Sequence, residues 1–288
     1  MSSNEATVAG LWRYPVKSML GEELDVSAVG ARGLAGDRAY ALVDVGTGNI
    51  VSAKNPRRWG MLFECRARYL ESPDPAGDVP PVRITMPDGT TVRSDDADLA
   101  EVLSQTLGRP VRLTTQAPAK VMIEQYVPPV VGVVDERSDT VSEGQIALLA
   151  PAGTFFDCAP VHVVTSASLA TLAAAYPGGR FDPRRFRPNV FIDAGVDASG
   201  FVENTWVKRT VRVGPDVTLD IVMSVPRCVM TTLAQDELPA DKGILQTIAR
   251  ENRFEIRGLG PSSCVGVYGI VATGGAVSRG DRVGLVSQ

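Results

Sequence analysis

Apolar residues recur along this chain mostly at a spacing of two, in short runs closed by Gly, Pro, Asn or Asp, which is how strands joined by turns are written. Residues 7–14 alternate β-branched and aromatic side chains and run into Pro15-Val16-Lys17-Ser18, where the proline ends the ladder and delivers a lysine at the strand end. Residues 39–44, 82–86, 90–93, 161–164, 190–192, 219–223, 265–272 and 282–286 read the same way, and Gly46-Thr47-Gly48-Asn49 and Pro87-Asp88-Gly89 are hairpin turns. The helical spacing is predicted at three places. One is 96–107, with Leu99, Val102, Leu103 and Leu107 on one face and Gly108 as its stop; the others are 167–176, opened by Thr165 or Ser166, and 238–251, with Ile244, Leu245 and Ile248 apolar. Pro118, Pro128 and Pro129 interrupt residues 117–143, which read as a connection between two halves. With many short strands, few helices and no internal repeat, the chain is expected to be mostly β (α+β), a barrel architecture.

Composition narrows the function more than the fold. The chain has 288 residues, long enough for two intimately packed domains, and 44% hydrophobic against 22% charged residues describes an ordinary globular protein. A net charge of −4 gives no general attraction for nucleic acid or anionic lipid, so any anion must be met by a local cluster. The start, Met1-Ser2-Ser3-Asn4-Glu5, lacks a basic segment followed by an apolar one, and no apolar run is long enough to span a bilayer. The reading is a cytoplasmic protein with neither nucleic acid nor membrane as partner. Four scattered cysteines, without a C-x-x-C pair, fit neither a disulfide scaffold nor a zinc site nor an iron–sulfur cluster.

Within that frame one thiol stands out. Val225-Pro226-Arg227-Cys228-Val229-Met230-Thr231-Thr232 places a cysteine after an arginine at the end of an apolar run, surroundings that favour a thiolate nucleophile or metal ligand; taken alone, the same octapeptide also fits a buried structural cysteine. Gly36-Asp37-Arg38 presents an acid and a base in a glycine-rich turn that lacks the context of a dinucleotide or P-loop site. The most basic decapeptide of the chain, residues 180–189, ends in Arg187-Pro188-Asn189 at the mouth of a strand; it is either a solvated loop or an anion site, for which the arginine fork and the donor and acceptor of Asn189 are suited. Cys65, Cys158 and Cys264 read as structural.

Taken in order, Tyr14-Pro15-Val16-Lys17-Ser18, Gly36-Asp37-Arg38, Phe156-Asp157 before Pro160-Val161-His162, Arg187-Pro188-Asn189, Arg227-Cys228 with Thr231-Thr232, and Gly280-Asp281-x-Val283 resemble one family. It is that of MOSC-domain proteins with an N-terminal MOSC β-barrel domain, which includes the mitochondrial amidoxime-reducing component and bacterial hydroxylaminopurine-resistance proteins. The resemblance spans nearly the whole chain and implies an N-terminal barrel domain over 1–118 and a MOSC domain over 119–288. It implies a molybdenum pyranopterin cofactor, with Cys228 as the protein ligand to the metal, Arg187 and Asn189 holding the pterin and its phosphate, and Lys17 and Arg38 supplied from the other side. Arg227 would hydrogen-bond a reacting oxygen. The activity implied is reduction of small N-hydroxylated compounds by oxygen-atom abstraction, with electrons from a separate electron-transfer protein, since no cluster-binding cysteines follow the barrel. Two departures stand out: Pro226 replaces a serine two residues before the cysteine, and the acidic, glycine-containing segment after the threonines is here Leu233-Ala234-Gln235-Asp236-Glu237-Leu238-Pro239.

Two other functions stay open on the residues alone. Cys228 can be the persulfide-bearing thiol of a sulfur carrier that holds no metal, or a hydrolytic nucleophile paired with His162, the only histidine. Alternation in Pro160-Val161-His162-Val163-Val164 fits a structural strand histidine better than a catalytic one, and Asp157 reads as an orienting or capping residue rather than a catalytic acid.

Overall fold

A computed structural model describes residues 5–130, 132–133 and 138–286; Met1-Ser2-Ser3-Asn4, part of the leader reading, lie outside it. Strand content of 38% against 18% helix makes the protein mostly β, as the period-two pattern requires. Its largest sheet joins Val283–Leu285, Thr210–Val213, Val217–Pro226, Gly260–Thr273, Val161–Thr165, Val190–Asp193 and Thr7–Arg13 in that lateral order. The sheet closes on itself: Val8 N donates to Asp281 O at 2.8 Å, Gly280 N to Val8 O at 2.8 Å and Val283 N to Ala6 O at 2.8 Å. Inside the barrel the alternate residues of each strand, among them Val8, Leu11, Val163, Ile192, Val213, Leu219 and Val267, form a fully buried core.

A second core lies beside it. Val16 and Met19 of the segment after Thr7–Arg13, Phe63 of the 3₁₀ helix Gly60–Phe63, and Leu42, Ile84 and Val111 of short strands pack with Leu99 and Leu103 of the helix Leu99–Leu107, which ends, as predicted, on Gly108 at φ 65°. The two parts interlock, because Thr7–Arg13 belongs to the large barrel and Gly275–Ser278 pairs with Val26–Gly30.

Two expectations need correction. Residues 117–143 are not a plain connection: Met122–Val127 and Thr140–Gln145 form an antiparallel hairpin that joins the first part through Ile50 N to Met122 O at 2.9 Å and Tyr126 N to Lys54 O at 2.7 Å. The pattern hid it because much of it is solvated on both faces, so the apolar alternation is weak. The last helix is Gly243–Glu251 and begins later than 238, since Pro239 O accepts a bond from Arg185 and Asp241 N donates to Thr232 O, fixing these residues against the Cys228 turn.

Candidate functional site

The strand Val217–Pro226 ends at Pro226, and Cys228 follows in extended backbone at the start of the 3₁₀ turn Val229–Thr232. The turn is fastened from within, because Thr231 Oγ1 donates to Cys228 O at 3.0 Å and Thr232 Oγ1 to Val229 O at 2.7 Å. From outside, buried Arg185 donates to Thr231 O, Leu233 O and Pro239 O, so this arginine of the basic decapeptide is a brace. The thiol is left half-buried, at the wall of a cavity that also meets Lys17, Arg38, Lys54, Asp157, His162, Arg187, Asn189, Arg227 and Tyr268. Residues from distant parts of the chain thus converge on it, including every candidate named from the sequence.

Each basic residue is held differently. Lys17 donates to Phe155 O at 2.8 Å and to Asp157 Oδ1 at 2.7 Å; burial pushes its amine down to about 8 although the carboxylate opposes this. Lys54 reaches the same carboxylate at 3.3 Å. Burial works to push the Asp157 carboxyl up, but the two lysines and Arg38 outweigh it and hold it well below the usual carboxylate range. Arg38 pairs with Asp37 and lies over the Tyr14 ring, 4.9 Å from its centre. The opposite case is Arg187, whose guanidinium stacks on Tyr14 at 4.1 Å and Phe63 at 5.4 Å while both terminal nitrogens are buried without a hydrogen-bond partner among the described residues. Burial pushes its basicity down to about 10.

Asn189 is occupied by the protein itself. Its Oδ1 accepts from His162 N at 3.0 Å, and its Nδ2 donates to Asp37 Oδ2 at 2.9 Å and Trp12 O at 3.3 Å, so it clasps the two halves around the cavity. Arg227 donates to Phe186 O at 2.8 Å and meets His162 Nε2 at 3.4 Å. Burial first, and Arg227 second, keep His162 neutral well below its ordinary pKa, with Nδ1 3.3 Å from Arg187 O. This histidine therefore supports two arginines. Lys54, absent from the sequence candidates, carries no motif; its only mark is a lysine at the end of an apolar run before Asn55-Pro56.

Backbone strain collects here too. Ser18, Arg38 and Arg187 have φ of 68°, 49° and 54°, the left-handed region that costs a side chain-bearing residue on the order of 1 kcal/mol, and all three line the cavity. A cavity in which basic groups outnumber the acids Asp37 and Asp157, with a buried guanidinium unpartnered, suits a polyanionic ligand such as a pterin phosphate. Among the described residues no three His, Cys, Asp or Glu side chains gather to hold a metal ion, so a metal at Cys228 would take most of its ligands from outside the chain.

Fold and site together define a β protein of two interlocked parts that holds a thiol beside a buried cationic cavity. The chain belongs to the MOSC-domain proteins: residues 151–284 match the MOSC domain and residues 5–107 the MOSC N-terminal beta barrel domain. Among curated proteins it is similar to mitochondrial amidoxime-reducing component 1 of Homo sapiens, 26% identical over 98% of this chain and 83% of that protein. Mitochondrial amidoxime reducing component 2 of Rattus norvegicus is 25% identical over 80% of this chain and 67% of its own length. Of solved structures, the YUAD protein from Bacillus subtilis covers 96% of the chain at 14% identity and a TM-score of 0.42. No helix among the described residues is long and apolar enough to cross a membrane.

Proposed function

We propose that this protein is a molybdenum-cofactor reductase of small N-hydroxylated compounds, working in the cytoplasm with electrons delivered by a separate redox protein. The observation that carries the reading is the half-buried Cys228 at the wall of a cavity where both terminal nitrogens of Arg187 lack a hydrogen-bond partner among the described residues. The amidoxime-reducing names of its relatives supply the reaction class. When bound, the cofactor would supply two-electron chemistry able to take the oxygen from an N–O bond. Cys228 would ligate the metal as a thiolate, and Lys17, Arg38, Lys54 and Arg187 would hold the cofactor's negative charge.

The chain's own contribution is positioning. Asp157 fixes both lysines, Asn189 and Asp37 clasp the N-terminal loops to the strand at Val190, and His162 accepts from Arg227 to keep that guanidinium beside the thiol. Reduction of each N–OH to an amine and water consumes two electrons and two protons, so the site must stay open to water on one side. Protein purified from a cofactor-competent host should contain molybdenum near one equivalent, falling to about a tenth or less in Cys228→Ala. Wild type with as little metal as the variant would remove the proposal.

A further inference from the structure

The outer face of one small sheet carries a charge pattern that neither the cores nor the cavity uses. In the antiparallel sheet of Arg66–Tyr69, Val82–Thr85 and Thr91–Arg93, Arg68 stands directly opposite Arg83, and Arg83 directly opposite Arg93. Like charges facing each other on neighbouring strands destabilise a sheet, so this row has a cost that folding does not explain. Arg93, at one end, pairs with Asp95 at 2.7 Å and feels Asp96 and Glu71 as well; Arg66, beside the row, pairs with Asp236 at 2.6 Å. Arg68 and Arg83 are exposed and have no hydrogen-bond or ion-pair partner among the described residues. Past the edge of Arg66–Tyr69 the face runs into a cleft where Arg68 meets Trp12, Arg184 and Gln235. The acids of this cleft are already engaged, Glu23 by Arg279 at 3.1 Å and Asp236 by Arg66. Gln235 is 3% exposed, and its amide nitrogen lacks an acceptor among the described residues.

We infer that this face is where the electron donor docks, and that the donor is a small protein presenting carboxylates around its redox centre; the inference rests on the reductase reading above. Three observations carry it. Arginines beside a tryptophan are the residue types that dominate protein interfaces, and unpaired guanidiniums in a chain of net charge −4 are matched by carboxylates on the partner. A compact partner touches the patch alone, whereas a nucleic acid or a bilayer extends over the acidic remainder, beyond the reach of about 8 Å that screening leaves to the arginines. The face also adjoins the site. Ala67, Ile84 and Val92, on the inner side of the same strands, belong to the core against which Cys228 packs, and Gln235 lies just after the cysteine's own turn Val229–Thr232.

The test uses cofactor-loaded enzyme and hydroxylamine, whose reduction to ammonia and water takes two electrons and two protons. Electrons come either from a reduced plant-type ferredoxin, an acidic one-electron carrier that must dock twice per turnover, or from reduced methyl viologen, a small molecule that needs no docking face. Arg68→Glu and Arg83→Glu are each expected to lower kcat/KM for ferredoxin at least about tenfold and to weaken its salt dependence, with the viologen rate unchanged. Each variant places opposite charges across the strands, so neither should melt below wild type. The exposed Arg212→Glu, on the barrel strand Thr210–Val213, is the control that moves neither rate. Viologen turnover without ferredoxin turnover, or equal losses in the Arg68 variant and the control, would overturn the docking face. So would binding of duplex DNA or phosphatidylserine vesicles at about 0.15 M salt by a wild type that leaves ferredoxin unbound. If wild type turns over with neither reductant, the reductase reading falls, and calorimetric titration of oxidised ferredoxin decides alone. Binding weakened at least about tenfold by Arg83→Glu but not by Arg212→Glu upholds the face, and no binding or equal weakening overturns it.

Discussion

Arg187 shows the cost of an anion site that is built before its ligand arrives. Its guanidinium is desolvated, its two terminal nitrogens have no hydrogen-bond partner among the described residues, and the rings of Tyr14 and Phe63, with the charges of Asp37 and Asp157, offset this in part. Sulfate is expected to raise the melting temperature of the wild type, and Arg187→Met to abolish that rise while leaving the ligand-free protein as stable as wild type or about 1 kcal/mol more stable. Lower stability with the sulfate response intact would place the partner of Arg187 within the protein. Lys17 carries a related cost that pH reveals. Its folded pKa of about 8 lies below the ordinary 10.5, so between these values the unfolded chain binds a proton that the native chain lacks. Stability from this group then rises with pH across that window, by up to about 1.4 kcal/mol per unit. In urea titrations Lys17→Met should flatten the rise; an identical pH slope in the variant would refute the assignment. Such residues were legible only in part. Cys228, Arg187, Lys17 and Arg38 announce themselves by standing at strand ends in an acidic protein, whereas Lys54 has an ordinary neighbourhood and becomes meaningful only when folding brings it to Asp157. Asn189 was found for its donor and acceptor, yet folding spends both on the clasp.

At the level of elements, the strands that carry the site were readable because each buries alternate residues, and local alternation is what a half-buried strand imposes. What was not readable depends on partners far away in sequence. The hairpin from Met122 gains its place from Ile50 and Lys54, and the start of the last helix is delayed by bonds to Arg185 and Thr232. The wall behind His162 has the same character. In Gly260–Thr273, Gly266 sits at φ 80°, and a Cβ there would come within 2.5 Å of Val163 O and 2.6 Å of His162 Nε2. Its amide donates to Glu203, a buried carboxylate that also accepts from Thr165 and Ser168 and so ties the strand to the start of the helix Ser166–Ala175. Gly266→Ala combines a left-handed backbone with displacement of the strand from His162, and is expected to cost about 2–4 kcal/mol in urea unfolding. A cost within a few tenths of Ala substitution at exposed Gly284, which has open space around it, would show that the wall yields freely.

For the molecule as a whole, the cavity exists only because the two parts interlock. Lys17, Arg38 and Lys54 come from the first part, Arg187, Arg227 and Cys228 from the second, and Thr7–Arg13 is a strand of the second part's own barrel. A division at 118/119, proposed from the family resemblance, separates lineages of sequence more readily than units of folding. A fragment of residues 119–288 would lose the partner of Val190–Asp193, exposing the edge of a barrel whose interior is entirely aliphatic, and would leave Gly275–Ser278 without Val26–Gly30. It would also leave Asn189 Nδ2 without its two acceptors, Asp37 and Trp12, and Arg187 without Tyr14. The full chain is accordingly expected to unfold in a single transition, with calorimetric and van't Hoff enthalpies in agreement, and the 119–288 fragment to be recovered as aggregate. Two resolved transitions, or a soluble fragment with native near-ultraviolet dichroism, would show that the barrel closes without its borrowed strand; the cationic cavity would then be an interface assembled after folding rather than a product of it.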